Sequence, residues 1–339
     1  MVDTRQGRQR ISRGCLIVRP SSRKVEMETD SLDNFIFVYE KFATAENKSP
    51  RTIESVVNAT RRFDSYLGGC TDIKAVQAED LRGYIRHLQQ QPLWADHPSI
   101  KPGHGNLSDN AIASYVRAIR SFWSWLKQEN FIDFNPFERV KPPATTERIV
   151  DPLTPEDITM LLKFIPQHTY TGYRNGCIIM TLYGTGMRIS EALDLSKDNV
   201  NFDSGQIKGV GKGKRERVVF MSSSLYKALF KYYSQRRPKT TSNYFFIHED
   251  GRPLTRSYFE HRMHSFVEKS GMTKTCTPHI LRYSFAIQFL RNGGDIFTLQ
   301  NILGHKTLEM TRRYAKIATS DVEAKMKQYS PVEQLGVRF

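Results

Sequence analysis

The sequence predicts a mainly α protein with a small β-sheet, an α+β chain in two domains. Three observations predict it. Apolar residues recur at helical spacing from Leu32 to Glu138. A stretch without such a stripe, residues 139–153 (RVKPPATTERIVDPL), interrupts them. Beyond it, two short strand patterns flank a Gly-Lys turn among further helical stripes. The length of 339 residues suits two domains at roughly 100–200 residues each, and 39% apolar residues suffice for two cores.

Residues 1–30 are polar, arginine-rich and aperiodic, as in a flexible basic tail. Residues 31–138 then read as a four-helix unit. Leu32, Phe35, Ile36 and Tyr39 open it. Ser49-Pro50 is an N-cap followed by proline at the first helical position, and Ile53, Val56, Val57, Thr60, Phe63 and Leu67 share one face before Gly68-Gly69 stops the helix. Leu81, Tyr84, Ile85 and Leu88 form a third stripe, and Ile112, Tyr115, Val116, Ile119, Phe122, Trp123 and Leu126 a fourth, with a Pro- and Gly-containing loop at 92–108 between them. These aromatic stripes are expected to pack as core.

After the 139–153 linker, Thr154 caps a helix whose first turn holds Glu156 and Asp157. Ile178, Ile179 and Leu182 belong to a buried helix. Residues 206–209 and 217–220 read as two strands around Gly211-Lys212-Gly213-Lys214. Helices are expected at about 222–236, 255–270, 278–292, 295–303 and 307–317, the last carrying Tyr314.

Net charge is +15, and residues 148–339 hold 29 basic against 17 acidic residues. That excess favours a polyanionic partner over a small neutral one. No apolar run approaches the ~20 residues that span a bilayer, and the stretch at residues 15–18 is too short for a signal peptide. Cys15, Cys70, Cys177 and Cys276 are scattered without a CxxC pair, so neither a zinc site nor a disulfide framework is indicated and a cytoplasmic location is expected.

Five pieces of the second half carry candidate chemistry: GTGMRISE (184–191), GKGKRER (211–217), HILR (279–282), LGH (303–305) and Tyr314. Singly, each has a plain structural reading: a solvated hairpin tip, a surface pair, a glycine C-cap, a packed ring. Together they supply what metal-free phosphodiester chemistry needs. Arg188 and Arg282 offer planar forks for two non-bridging oxygens. His279 and His305 can donate to those oxygens or move a proton near neutral pH. Tyr314 is a candidate covalent nucleophile, and Lys212 can protonate a leaving oxygen. His279 and Arg282, three apart, share a helix face. The chain has no DxD-type cluster, HEXXH or P-loop, which disfavours a two-metal nuclease or an NTPase.

This ordered set resembles the tyrosine recombinase (phage integrase) family: Arg in TGMRISEAL, Lys in GKGKRER, His and Arg in HILRYSF, His and the final Tyr in LGHKTLEMTRRY. The likeness covers roughly residues 31–320 and is greatest to Xer-like and to transposon or phage integrases. It implies a helical, SAM-like core-binding domain at 31–138, a catalytic domain at 154–320, a C-shaped DNA clamp, and a tail at 321–339 docking on a neighbouring subunit. It also implies the roles: Arg188 and Arg282 clamp the scissile phosphate, Lys212 is the general acid, His279 assists proton transfer, His305 stabilises the transition state, and Tyr314 forms a 3′-phosphotyrosine. No cofactor is implied. The partners implied are double-stranded DNA with recombination half-sites, a homotetramer passing through a four-way junction, and accessory DNA-bending or partner recombinase proteins.

Lys214 competes with Lys212, chosen on the family's first-lysine pattern, and Tyr329 is a rival to Tyr314. Two other functions stay open on the residues alone. A non-catalytic architectural DNA-binding protein would form no covalent adduct. A type IB topoisomerase-like enzyme would relax any plasmid as a monomer.

Overall fold

The computed structural model describes residues 30–69, 71–92, 105–145, 150–211, 216–305 and 307–318. The chain divides into two compact units, with the boundary between Arg148 and Ile149.

The first unit holds α1 (Leu32–Ala45), α2 (Pro50–Leu67), α3 (Ala78–Gln90) and α4 (Asp109–Gln128). The Ser49 hydroxyl accepts from the Thr52 N–H at 3.2 Å, and Ser108 caps α4 in the same way at 3.3 Å. The stripes read from the sequence face inward. Phe63 packs edge-on against Trp123 with ring centroids 5.7 Å apart, and Trp123 lies 4.7 Å from Phe137. Buried rings of this kind each stabilise the core by roughly 1.5–3 kcal/mol. Val140 joins this core and Leu153 joins the other, where its N–H donates to Ser284 Oγ at 2.7 Å. The stretch expected as a linker is thus packed at both ends.

The second unit opens with α5 (Pro155–Lys163), capped reciprocally by Thr154 and Asp157. The buried α6 (Tyr170–Thr185) follows, then the short α7 (Ile189–Leu193). Strands β1 (Val200–Asn201), β2 (Gln206–Val210) and β3 (Glu216–Phe220) form an antiparallel sheet in that order, with Val200 opposite Ile207 and Ile207 opposite Val219. At two residues, β1 is too short to show the alternation that betrays β2 and β3. The helix expected over 222–236 is α8 (Ser223–Lys231) followed by a π-helical turn, Tyr232–Arg236.

Four helices complete the unit: α9 (Arg256–Ser270), α10 (Pro278–Arg291), α11 (Ile296–Leu303) and α12 (Glu309–Ala318). Its main core runs from Leu153 through Ile178, Leu182 and Phe245 to Leu281. A smaller cluster gathers Ala286, Ile287, Leu290, Leu299, Leu303 and Tyr314. Among the described residues, no helix is long and apolar enough to cross a membrane.

Candidate active site

The site begins where α6 ends. Gly186 closes that helix in the left-handed conformation, φ +63°. A Cβ there would stand 2.4 Å from the Phe285 ring, so glycine is required on two counts. The chain turns at once into α7, and Arg188 sits at its N-cap. Glu191, three residues on, reaches back to accept from the Arg188 N–H at 2.8 Å, as in a capping box.

The Glu191 carboxylate is nearly sealed from solvent, its side chain 2% exposed. It also accepts from Arg188 Nη1 at 2.8 Å and from Arg217 Nη1 and Nη2 at 2.8 and 2.6 Å. Burial by itself would raise this carboxyl, but the Arg217 fork and the Arg188 donors outweigh it and hold Glu191 below the ordinary range. One buried anion therefore orients two guanidiniums from separate elements.

Arg282, on α10, is buried. It donates to the carbonyls of Gly186 at 2.5 Å and Leu303 at 2.8 Å. These belong to the C-terminal ends of α6 and α11, where carbonyls lack helical partners and the helix dipole is negative. Among the described residues, no carboxylate forms an ion pair with Arg282. Burial, then repulsion from Arg188 and Arg217, push its pKa down to about 10, which still leaves it a cation at neutral pH. Three guanidiniums thus lie within electrostatic reach of one carboxylate, an excess of positive charge suited to an anion.

His305 follows Gly304, the left-handed cap of α11 (φ +64°). Arg282 Nη2 lies 3.2 Å from His305 Nε2, and His305 Nδ1 lies 2.9 Å from Thr311 Oγ1. The Tyr314 ring stacks on the imidazole, with centroids 6.0 Å apart and planes inclined by 17°, and it touches Tyr283 at 5.7 Å. Tyr314 is buried, 3% exposed.

His279 occupies the first turn of α10. Partial desolvation, then the nearby Arg256 and Arg282 cations, lower its pKa from the ordinary histidine value.

The structure therefore brings Arg188, His279, Arg282, His305 and Tyr314 to one region of the second unit. Lys212 and its rival Lys214 fall at residues 212–215, between β2 and β3 in sequence and outside the described residues, as do Tyr329, the 1–29 part of the basic tail, and 321–339.

Three members went unassigned from sequence: Glu191, Arg217 and Thr311. Each carried a local signal. Glu191 stands at capping-box spacing from Arg188. Arg217 shares the inward face of β3 with Val219 by period-two alternation. Thr311 lies one helical turn before Tyr314, on the same face.

A profile of the phage integrase family matches residues 152–321. The tyrosine recombinase XerD of Staphylococcus haemolyticus (strain JCSC1435) is 31% identical over 265 residues, covering 74% of this chain and 90% of the relative. XerD of Listeria monocytogenes serotype 4b (strain F2365) is 28% identical over 291 residues, covering 84% and 93%. The Tn1549 transposon integrase, solved in complex with a circular intermediate DNA, superposes with a TM-score of 0.65 at 20% identity over 87% of this chain and 98% of that one. At that identity the likeness is one of fold.

Proposed function

Because the chain belongs to the phage integrase family of tyrosine recombinases, we propose that it cuts and rejoins DNA strands through a 3′-phosphotyrosine intermediate formed on Tyr314. The enzyme class, a site-specific tyrosine recombinase, follows from the family; the assignment of steps to residues is the proposal. The observation that carries it is the cationic cluster in which Arg282, with no ion-paired carboxylate among the described residues, stands beside His305 and Tyr314.

In this reading the scissile phosphate lies against Arg188 and Arg282, which hold its non-bridging oxygens and meet the charge that grows in the pentavalent transition state. The Tyr314 phenolic oxygen attacks phosphorus and the bond to the 5′ oxygen breaks. Lys212 delivers a proton to that oxygen. His279, whose pKa is lowered by partial burial and then by its cationic neighbours, accepts the phenolic proton. His305 stabilises the equatorial oxygens. A 5′ hydroxyl from the partner strand then displaces Tyr314, the same step in reverse, so the energy of the broken bond is conserved in the phosphotyrosyl link. Two such exchanges between duplexes held by four subunits pass through a Holliday junction.

The partner is double-stranded DNA, supported by the +15 net charge. The test is a nicked suicide duplex carrying half-sites selected from a random library. Wild type is expected to form a covalent adduct, and Tyr314→Phe to bind the duplex without one. An adduct that persists in Y314F, or relaxation of arbitrary plasmids by a monomer, overturns the reading.

A further inference from the structure

We infer that Thr311 is a positioning residue that fixes the tautomer of His305 and aims its Nε2 toward the Arg282 guanidinium. This rests on the reading of His305 as a site residue. A guanidinium has donors only, so Arg282 Nη2 at 3.2 Å requires Nε2 to accept. A neutral imidazole carries one N–H, which therefore sits on Nδ1 and donates to Thr311 Oγ1 at 2.9 Å. Thr311 is fully buried, so bulk water does not stand in for its hydroxyl. The opposite tautomer would point an N–H at the Arg282 donors.

The consequence is a coupling. Thr311 and Tyr314 are three residues apart on α12 and face the same side. Seating of this helix brings the phenol against the imidazole and, through Thr311, sets which imidazole nitrogen is protonated. When phosphate oxygens enter beside Arg282, Nε2 faces them and stabilises them by taking up a second proton and donating it as an N–H, while the Thr311 hydroxyl still accepts from Nδ1–H. Nucleophile and imidazole are prepared by one docking event.

Two measurements test this. Long-range ¹H–¹⁵N spectra of the full chain at pH 7 are expected to show His305 as the Nδ1–H tautomer; an Nε2–H tautomer in the wild type overturns the inference without any variant. Single-turnover cleavage of the nicked duplex is then compared across wild type, Thr311→Val, Thr311→Ser and His305→Ala. T311V, which keeps the shape and loses the acceptor, is expected to cleave about tenfold more slowly, the loss of one orienting hydrogen bond, with DNA affinity unchanged and a displaced pH–rate profile. T311S restores the tautomer, the profile and most of the rate. A folded T311V with wild-type rate, profile and tautomer overturns the inference. If H305A also cleaves normally, the reading of the site fails with it; if H305A is slow while T311V is normal, only the role of Thr311 falls.

Discussion

Replacing Glu191 by glutamine removes the single negative charge at the centre of the arginine cluster while keeping the shape of the side chain. The carboxylate accepts four hydrogen bonds, one from the Arg188 main chain and three from the guanidiniums of Arg188 and Arg217. An amide offers one oxygen and turns an NH₂ group toward donors. The Arg188 side chain is 35% exposed, so solvent screens its share to under about 1 kcal/mol. Arg217 is 11% exposed and carries most of the effect. Breaking a buried pair from one side costs about 3–5 kcal/mol, which for a unit of this size lowers Tm by roughly 6–20 °C. The pH dependence gives a second check. Glu191 titrates below the ordinary carboxyl value of 4.5, so its contribution is fully present above that value and is lost as pH falls through its depressed folded value. Thermal melts of wild type and E191Q followed from neutral pH into acid should therefore differ widely at pH 7 and converge in acid. An E191Q protein melting within 2 °C of wild type at pH 7, or a gap that persists unchanged in acid, would refute the reasoning.

Other outcomes follow from the same geometry. Gly186→Ala combines a left-handed backbone with a Cβ 2.4 Å from Phe285; it should destabilise the second unit by about 3 kcal/mol or more, read by denaturant titration. Arg282→Lys lacks the fork that holds the Gly186 and Leu303 carbonyls together; it should lose about 1–3 kcal/mol of stability and nearly all strand cleavage while still binding DNA. His279 titrates below 6.5 in the folded chain, so the unfolded state binds more protons in the window between that depressed value and 6.5, and stability falls as pH drops through it. The acid limb of the cleavage rate that disappears in His279→Gln should accordingly lie below pH 6.5; a limb at or above it contradicts the assignment.

The helices that build the two cores were legible because burial imposes a period. Phe63, Trp123 and Phe122 recur on one face for the same reason that they pack together. Thr154 and Ser49 marked helix starts because their hydroxyls satisfy N–H groups that have no helical partner. The candidate site was legible as a set because its residue types are rare and ordered: the arginines, histidines and tyrosine that the second unit gathers are far apart in sequence, 188 to 314. What escaped were the residues acting through others. Glu191 reads as an ordinary first-turn acid until Arg217 arrives from β3, and no local pattern announces a contact between residues 26 positions apart. Thr311 reads as a helical threonine until the turn at Gly304 brings His305 back over it. Strand β1 and the π-helical turn after α8 are set by tertiary packing, with too few residues to show a period of their own.

The proposed reaction turns on one covalent bond. Protein trapped on a nicked duplex, digested with nuclease and protease and sequenced by mass spectrometry, should carry a 3′-linked phosphonucleotide on the peptide containing Tyr314 and on no other. The same mass on Tyr329 or any other residue, or a chain that bends and holds its duplex with no modified peptide at all, would contradict it.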